Sequence, residues 1–152
     1  MKLHKGYIKA INAWLRANHF DTKVFSGDDF YYQNEQENIS IPSEYSEPDL
    51  DTNFMICLRD LGLKYDFDAL TLSVLHELGH FCTMEDVTED DLDSQSCNIV
   101  TIQLMEISDN AKDFAYWLTP IERAANKWAV KYVNRHKAAV EKLENIIASY
   151  LW

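Results

Sequence analysis

The sequence predicts a single α+β domain, mainly helical, with a small β-hairpin or sheet packed beside one central helix. The chain has 152 residues, of which 47% are hydrophobic and 12% aromatic, enough to bury a core without disulfide bonds. Apolar residues recur at helical spacing over most of its length, whereas β-rich runs are few and short. We find no internal repeat, low-complexity tract or linker, so residues 1–152 are expected to form one domain.

The amino-terminal part predicts one helix, a turn and a hairpin. Residues 4–19 carry apolar side chains at helical spacing and are predicted to form an amphipathic helix. Residues 26–29, Ser-Gly-Asp-Asp, have the composition of a turn. The β-rich runs 30–32 and 39–41 flank a polar bend, which predicts a short hairpin that ends at Pro42 and is followed by a loop.

Two helices are predicted next. Residues 51–61 are predicted to form a helix that Gly62 ends, although the run 54–58 could instead be a buried strand. Asp68 is a natural N-cap for the second helix, which continues to about Thr83.

The carboxyl-terminal half is predicted to be helical after an acidic loop. Residues 84–93 carry six carboxylates and are expected to be solvated. A helix should follow them, since apolar residues recur with helical period at Cys97, Val100, Leu104 and Ile107. A shorter helix is predicted for 111–118. A long one should run from Thr119 toward the carboxyl end, with a break near 134–137.

The charge balance limits the classes of partner. The formal net charge is −11, from 25 acidic and 14 basic residues, which argues against a nucleic-acid backbone or an anionic membrane. It would suit a basic partner or substrate, although solubility alone would also explain it. No stretch is long enough to span a membrane and no secretion signal follows Met1, so a cytoplasmic location is expected, in the protein's own cell or in a host. The oligomeric state is not predicted.

The three cysteines, Cys57, Cys82 and Cys97, are odd in number and form no CxxC pair. They are predicted to be reduced thiols, buried as small apolar residues. A thiolate metal ligand is the alternative.

Residues 76–80, His-Glu-Leu-Gly-His, are the most informative run in the chain. Positions four apart on a helix lie one above the other, so His76 and His80 would present two imidazoles to one point. That is half of a tetrahedral zinc site, and Glu77 could take a proton from a water bound there. Gly79, at the edge of the same face, would let a second helix approach closely. The alternative is a pair of ordinary helix histidines.

A site with two protein ligands would be weak, so a third is expected downstream, and Glu122 is the best candidate. Thr119 as N-cap and Pro120 as first helical residue would place Glu122 in the first turn of a helix. Two alanines on its face would allow close approach to another backbone. Asn126, one turn later, could accept the free N–H of a ligating histidine and fix its ring. The alternative for Glu122 is a capping box with Thr119.

Other polar residues are weaker candidates. His136 lies fourteen residues past the candidate glutamate, roughly 21 Å along a continuous helix, and could not share its metal. His4 and His19 lie on or beside the first helix and are expected to be surface or core residues. Tyr116 and Tyr132 could donate to a developing oxyanion, but such tyrosines more often serve packing, so neither is assigned.

The two motifs resemble those of gluzincin metallopeptidases, in particular the ImmA/IrrE-type zinc peptidases of bacteria, mobile elements and phages. The likeness covers about residues 70–133 and rests on 76–80 and 120–129, Pro-Ile-Glu-Arg-Ala-Ala-Asn-Lys-Trp-Ala. In the second motif the family has Glu, then Ala and Asn or Asp, then an aromatic residue and Ala. The interval between the motifs is long for this group. The resemblance implies a zincin domain whose zinc ligands and catalytic base are His76, His80, Glu122 and Glu77.

The resemblance implies a zinc-dependent peptidase acting on a protein or peptide substrate. Known members include proteases that cleave or inactivate transcriptional repressors, so a DNA-binding repressor is the substrate suggested by analogy. An extended substrate could pair with an edge strand, from residues 30–41 or 54–59. A second interpretation is a non-catalytic or latent zincin-fold protein whose acidic surface binds a basic partner. Glu77 favours the enzyme, because a structural metal site needs no carboxylate beside an open coordination position.

Overall fold

The computed structural model describes residues 6–44 and 52–151. Within these residues the chain forms a mainly helical α+β fold, as predicted, with a three-stranded mixed sheet. The helices are α1 Tyr7–Ala17, α2 Thr52–Asp60, α3 Ala69–Thr83, α4 Glu89–Leu104, α5 Asp109–Trp117, α6 Pro120–Arg135 and α7 Lys137–Ser149. The strands are β1 Lys23–Gly27, β2 Tyr31–Gln33 and β3 Asn38–Pro42. His4 and most of the loop predicted after Pro42 lie outside the described residues.

The sheet has the strand order β1–β3–β2. β2 runs antiparallel to β3 with Tyr32 opposite Ile39, so the predicted hairpin is confirmed. The turn predicted at 26–29 is wrong in its first half, because Ser26 and Gly27 end β1, which pairs in parallel with β3. Val24 is the buried residue of β1, so this strand lacks the alternating apolar pattern that would have identified it.

The edge of β1 is covered by α1. The side chain of Asn12 accepts a hydrogen bond from the Val24 amide at 2.8 Å and donates one to the Val24 carbonyl at 3.2 Å. An unpaired strand edge exposes such groups to other chains, and Asn12 satisfies them here. The edge of the sheet formed by β2 lies beside α3, with the Tyr32 ring stacked on that of His80 at 6.4 Å.

α3 is the central helix, as predicted from its N-cap to Thr83. The Asp68 side chain accepts the Thr71 amide at 2.7 Å, and nearly every residue of the helix from Leu70 to His80 is buried. Leu72, Leu75 and Leu78 are fully buried in the core that α3 shares with α1, α6, α7 and the sheet.

α3 and α6 cross in close contact at Gly79. A Cβ atom built on Gly79 would lie 2.5 Å from the backbone oxygen of Ala125, closer than a side chain can approach. Ala125 and Ala129, on the facing side of α6, are buried. The predicted roles of Gly79 and of the two alanines in a close helix crossing are confirmed.

The helix predicted for 51–61, with Gly62 ending it, is confirmed: the run 54–58 belongs to α2, so the strand alternative is wrong, and Gly62 follows the helix with a φ of +95°. The acidic segment 84–93 is not one loop: a 3₁₀ turn spans Met84–Asp86, and α4 begins at Glu89. Its start is fixed by a capping box, in which the Thr88 hydroxyl accepts the Asp91 amide and the Asp91 carboxylate accepts the Thr88 amide.

The predicted break near 134–137 is confirmed, since His136 separates α6 from α7. The expectation that all three thiols are buried is wrong, because Cys57 is buried, Cys82 half-buried and Cys97 exposed. Among the described residues, no helix combines the length and the apolar character needed to cross a bilayer.

The α3–α6 crossing generates a stability prediction. Replacing glycine by alanine inside a helix normally stabilises it by about 1 kcal/mol. We expect Gly79→Ala to destabilise the protein by about 1–3 kcal/mol instead, because the new methyl group meets the Ala125 backbone, which cannot rotate away. Urea denaturation of the metal-free protein measures the change. Ser96→Ala, on the exposed side of α4, is the control, and a Gly79→Ala protein as stable as wild type would contradict the close crossing.

Candidate metal centre

The structure brings the three predicted ligands together. His76 and His80 lie one turn apart on α3, and Glu122 lies in the first turn of α6. Glu122 Oε2 is 2.9 Å from His76 Nε2 and 3.1 Å from His80 Nε2. The candidate ligand atoms of all three residues lie within 4.8 Å of one another. The arrangement is a candidate metal site between two helices.

The Glu122 carboxylate does not cap its own helix. In a capping box it would accept the Thr119 amide, but Thr119 makes no side-chain cap. The Thr119 hydroxyl donates to the Tyr116 carbonyl at 2.6 Å and accepts from Gln95 Nε2 at 2.9 Å. The capping-box alternative is therefore wrong, and Glu122 is directed at the histidines.

Tyr116 holds the second oxygen of Glu122. Its hydroxyl donates to Glu122 Oε1 at 2.9 Å, which leaves Oε2 for the two imidazoles. Sequence reasoning missed this contact and considered Tyr116 only as an oxyanion donor or as a packing residue. The sequence contains a signal for this contact. α5 ends at Trp117 and α6 starts at Pro120, so the tight turn between them brings Tyr116 close to Glu122.

The ring of His76 is fixed on three sides. Asn126 Oδ1 lies 2.6 Å from His76 Nδ1. Because Oδ1 carries no hydrogen, Nδ1 must donate, so Nε2 is the nitrogen that faces Glu122 and that would bind a metal in the neutral imidazole. The rings of Phe54 and Trp117 meet His76 edge-on, with centroid distances of 5.6 and 5.2 Å. Asn126 lies where the sequence predicts it, and it is fully buried.

The residues present fit a divalent ion held by two imidazoles and one carboxylate. Zinc with bonds of about 2.0–2.1 Å holds neighbouring ligand atoms about 3.3 Å apart. The two nitrogen–oxygen distances, 2.9 and 3.1 Å, are close to that spacing. Within the described part of the chain the metal-ligand group contains these three residues and no cysteine, so a fourth position would be left for water or substrate.

The Glu77 carboxylate faces a cleft rather than a partner. Glu77 is 7% exposed, and none of the described residues forms a hydrogen bond or ion pair with it. Burial raises its pKa, as do the charges of Glu122 and Asp29, against the opposing effect of His76 and His80. Both carboxylate oxygens are thus available to a bound molecule.

The histidines and Glu122 shift each other's pKa values. Burial would lower the pKa of His76, but its hydrogen bond to Glu122 and the charges of Glu77 and Glu122 raise it overall. Burial would raise the pKa of Glu122, but hydrogen bonds from His76 and His80 hold it well below its ordinary value. Glu122 is therefore ionised at neutral pH, as a metal ligand must be. Burial and the neighbouring Glu122 charge raise the pKa of Tyr116, so its hydroxyl keeps its proton.

A cleft of about 830 Å³ opens over this site. His76, Glu77, His80 and Glu122 all line it. Its walls include the aromatic residues Phe54 and Trp117 and the acidic residues Asp28, Asp29 and Glu44. The volume lies in the range of ordinary ligand sites, so the candidate metal would be open to a substrate-sized molecule.

The weaker candidates lie outside this centre. Tyr132 packs among Trp14, Phe20 and Trp128 and does not line the cleft. His136 is at the far end of α6, and His19 follows α1 with a φ of +65°.

No protein-family model, no curated protein and no solved structure matches the chain.

The ligand assignment predicts that Glu122→Ala, like His76→Ala, loses zinc. Protein dialysed against trace zinc and analysed by atomic emission should contain a stoichiometric amount in wild type and little in either variant. Glu144→Ala is the matched control, because Glu144 accepts the Asp68 amide at 2.8 Å, outside the site. Wild-type zinc content in Glu122→Ala would remove this residue from the ligand set.

The hydrogen bond from His76 to Asn126 predicts an effect on metal affinity. Asn126→Ala should bind zinc about 10–100-fold more weakly, because the ring loses the acceptor that fixes its tautomer. Asn126→Asp should keep most of the affinity, since its carboxylate can accept the same N–H. Competition with a chromogenic chelator gives the constants. Asn134→Ala, also on α6 but bonded to Lys64 and Gly62, is the control, and equal affinities in Asn126→Ala and Asn134→Ala would contradict this role.

Proposed function

We propose that the protein is a zinc-dependent peptidase whose ligands are His76, His80 and Glu122 and whose general base is Glu77. The observation that carries the proposal is the Glu77 carboxylate, which is buried beside a three-ligand group, has no hydrogen-bond or ion-pair partner among the described residues and is open to a cleft. Leaving a buried carboxylate unpaired is costly, and such groups are concentrated at catalytic sites. A purely structural metal site would have no use for it.

The donor set supports zinc as the metal. Two imidazoles and one carboxylate match the ligands of catalytic zinc in hydrolases, whereas Mg²⁺ and Ca²⁺ prefer oxygen donors alone. When bound, zinc would acidify a water molecule and polarise a peptide carbonyl. The position of Glu77, next to His76 in the sequence, suits it to receive the proton of that water.

The chain's own residues account for the proton movements. Glu77 would take the proton of the attacking water and deliver it to the departing amine. Tyr116 would keep Glu122 on a single oxygen through their hydrogen bond. Phe54 and Trp117, which meet the His76 ring edge-on and line the cleft, would limit the access of water to that ring.

The sheet offers a route for substrate. Of the two predicted edge segments, 54–59 is helical, whereas β2, within 30–41, lies at an edge of the sheet beside His80. We infer that an extended peptide pairs with β2 through backbone hydrogen bonds and so passes over the cleft. This agrees with the proposed relation to ImmA/IrrE-type peptidases, in which case a regulatory protein such as a DNA-binding repressor is the proposed substrate.

The central test is Glu77→Gln. The variant should bind zinc as wild type does and cleave at least about a hundredfold more slowly, because the amide cannot accept the proton. Both proteins are incubated with a peptide library and with unfolded proteins, and new amino termini are labelled and counted by mass spectrometry. Addition and removal of a chelator supply the control for a contaminating protease. Equal cleavage by the two proteins would exclude Glu77, and an absence of zinc-dependent cleavage in wild type would favour the non-catalytic interaction protein.

A further inference from the structure

α4 is a helix without a buried apolar face. It has sixteen residues, Glu89–Leu104, and Gln95 is its buried residue. A helix at the surface of a globular protein normally buries an apolar stripe against the core. In α4 the inward side carries the polar Gln95 and half-buried residues such as Ile99 and Ile102. The apolar residues that are most exposed lie on another side of the helix.

The apolar residues that recur at helical spacing along α4 point toward solvent. Cys97, Val100 and Leu104 are spaced three and four residues apart and share one face. Cys97 is exposed, and Val100 and Leu104 are 54% and 78% exposed. The chain then adds Met105 at 46% and Ile107 at 38%. We call these five residues the α4 stripe. Isolated exposed apolar residues are common, but several at helical spacing are typical of an interaction surface.

The contacts that hold α4 fix this orientation. The capping box of Thr88 and Asp91 sets where the helix starts. Gln95 Nε2 donates to Thr119 Oγ1 at 2.9 Å, in a buried hydrogen bond to the turn before α6. Rotating the helix to bury Leu104 would break the bond to Thr119 and leave polar groups unpaired. The α4 stripe is therefore an outward-facing surface of the folded chain.

The charge around the stripe indicates the partner. The segment 85–109 contains eight carboxylates and no lysine or arginine: Glu85, Asp86, Glu89, Asp90, Asp91, Asp93, Glu106 and Asp109. The ammonium group of Lys112, nearby in the sequence, donates to the Gln103 carbonyl at 2.9 Å. A second copy of the chain would bring the same acidic segment and a net charge of −11. An anionic lipid surface would be repelled in the same way, whereas a basic partner would be attracted.

We propose that the α4 stripe is the docking site for a basic amphipathic helix of a partner protein. The apolar face of that helix would cover Val100 and Leu104, and its lysine or arginine residues would lie against the flanking carboxylates. Leu92, earlier on α4, lines the cleft over the metal site, so the docked helix would lie beside the cleft entrance. The docking site stands on the exposure and charge of α4 and does not depend on peptidase activity.

The test uses two synthetic helical peptides of about five turns. Both have leucine on one face, and the other face is lysine in the first and glutamate in the second. Titrated into ¹⁵N-labelled full-length protein, the lysine peptide should shift resonances within residues 92–107 and bind more weakly as salt is added. The glutamate peptide should not bind. Val100→Ser and Leu104→Ser should each weaken binding about tenfold or more.

The control variant is Ile56→Ser, which removes an apolar side chain that is 39% exposed on α2; its affinity should equal that of wild type. Three results would each overturn the proposal: the lysine peptide does not bind, it shifts resonances elsewhere in the protein, or it binds Leu104→Ser as tightly as wild type. Sedimentation velocity and flotation with phosphatidylcholine vesicles test the other occupants. Self-association or vesicle binding that Leu104→Ser abolishes would assign the stripe to a second copy or to lipid, and would equally overturn it.

Discussion

The contact between the backbones of α3 and α6 at Gly79 determines what the rest of the site can do. Side chains between two packed helices normally hold the helix axes 8–10 Å apart. At that separation a glutamate side chain on one helix reaches the side chains of the other only with difficulty. With no side chain at Gly79, the Ala125 backbone occupies the space that a Cβ would fill. Glu122, one turn before Ala125, is thereby brought within 3.1 Å of both imidazoles.

The same crossing concentrates buried charge in a way that does not favour stability by itself. His76, Glu77 and Glu122 are all less than a tenth exposed, and taking ionised groups out of water costs several kcal/mol each unless they are paired. Glu122 is compensated by hydrogen bonds with His76, His80 and Tyr116, but Glu77 forms no hydrogen bond with any described residue. A divalent cation would reduce this cost for both carboxylates. This arrangement is easier to explain by binding and chemistry than by folding.

The sequence predicts those parts of the site and fold in which local chemistry decides the structure. The helical spacing of His76 and His80, the cap at Asp68 and the Pro120 start of α6 each depend on a few neighbouring residues. β1 was missed because its partner is a distant, parallel β3 and Val24 is its buried residue. The bond from Tyr116 to Glu122 depends on how two helices meet at a turn, which periodicity does not describe. Whether Glu122 caps its own helix or faces the histidines could not be decided from its own segment, because its partners lie on the neighbouring helix.

Helical periodicity does not reveal which face of a helix is buried, and α3 and α4 illustrate this in opposite ways. A period of three and four identifies residues that share a face, but it does not say whether that face points to the core or to solvent. On α3 a polar face carrying His76 and His80 is turned inward, and on α4 an apolar face carrying Val100 and Leu104 is turned outward. Each helix violates the usual distribution of polar and apolar residues, and such violations are expected where a protein meets something other than itself. Leu92, five residues before the first residue of the α4 stripe, lines the cleft over the candidate metal site, so the helix that carries the stripe also forms part of the cleft wall.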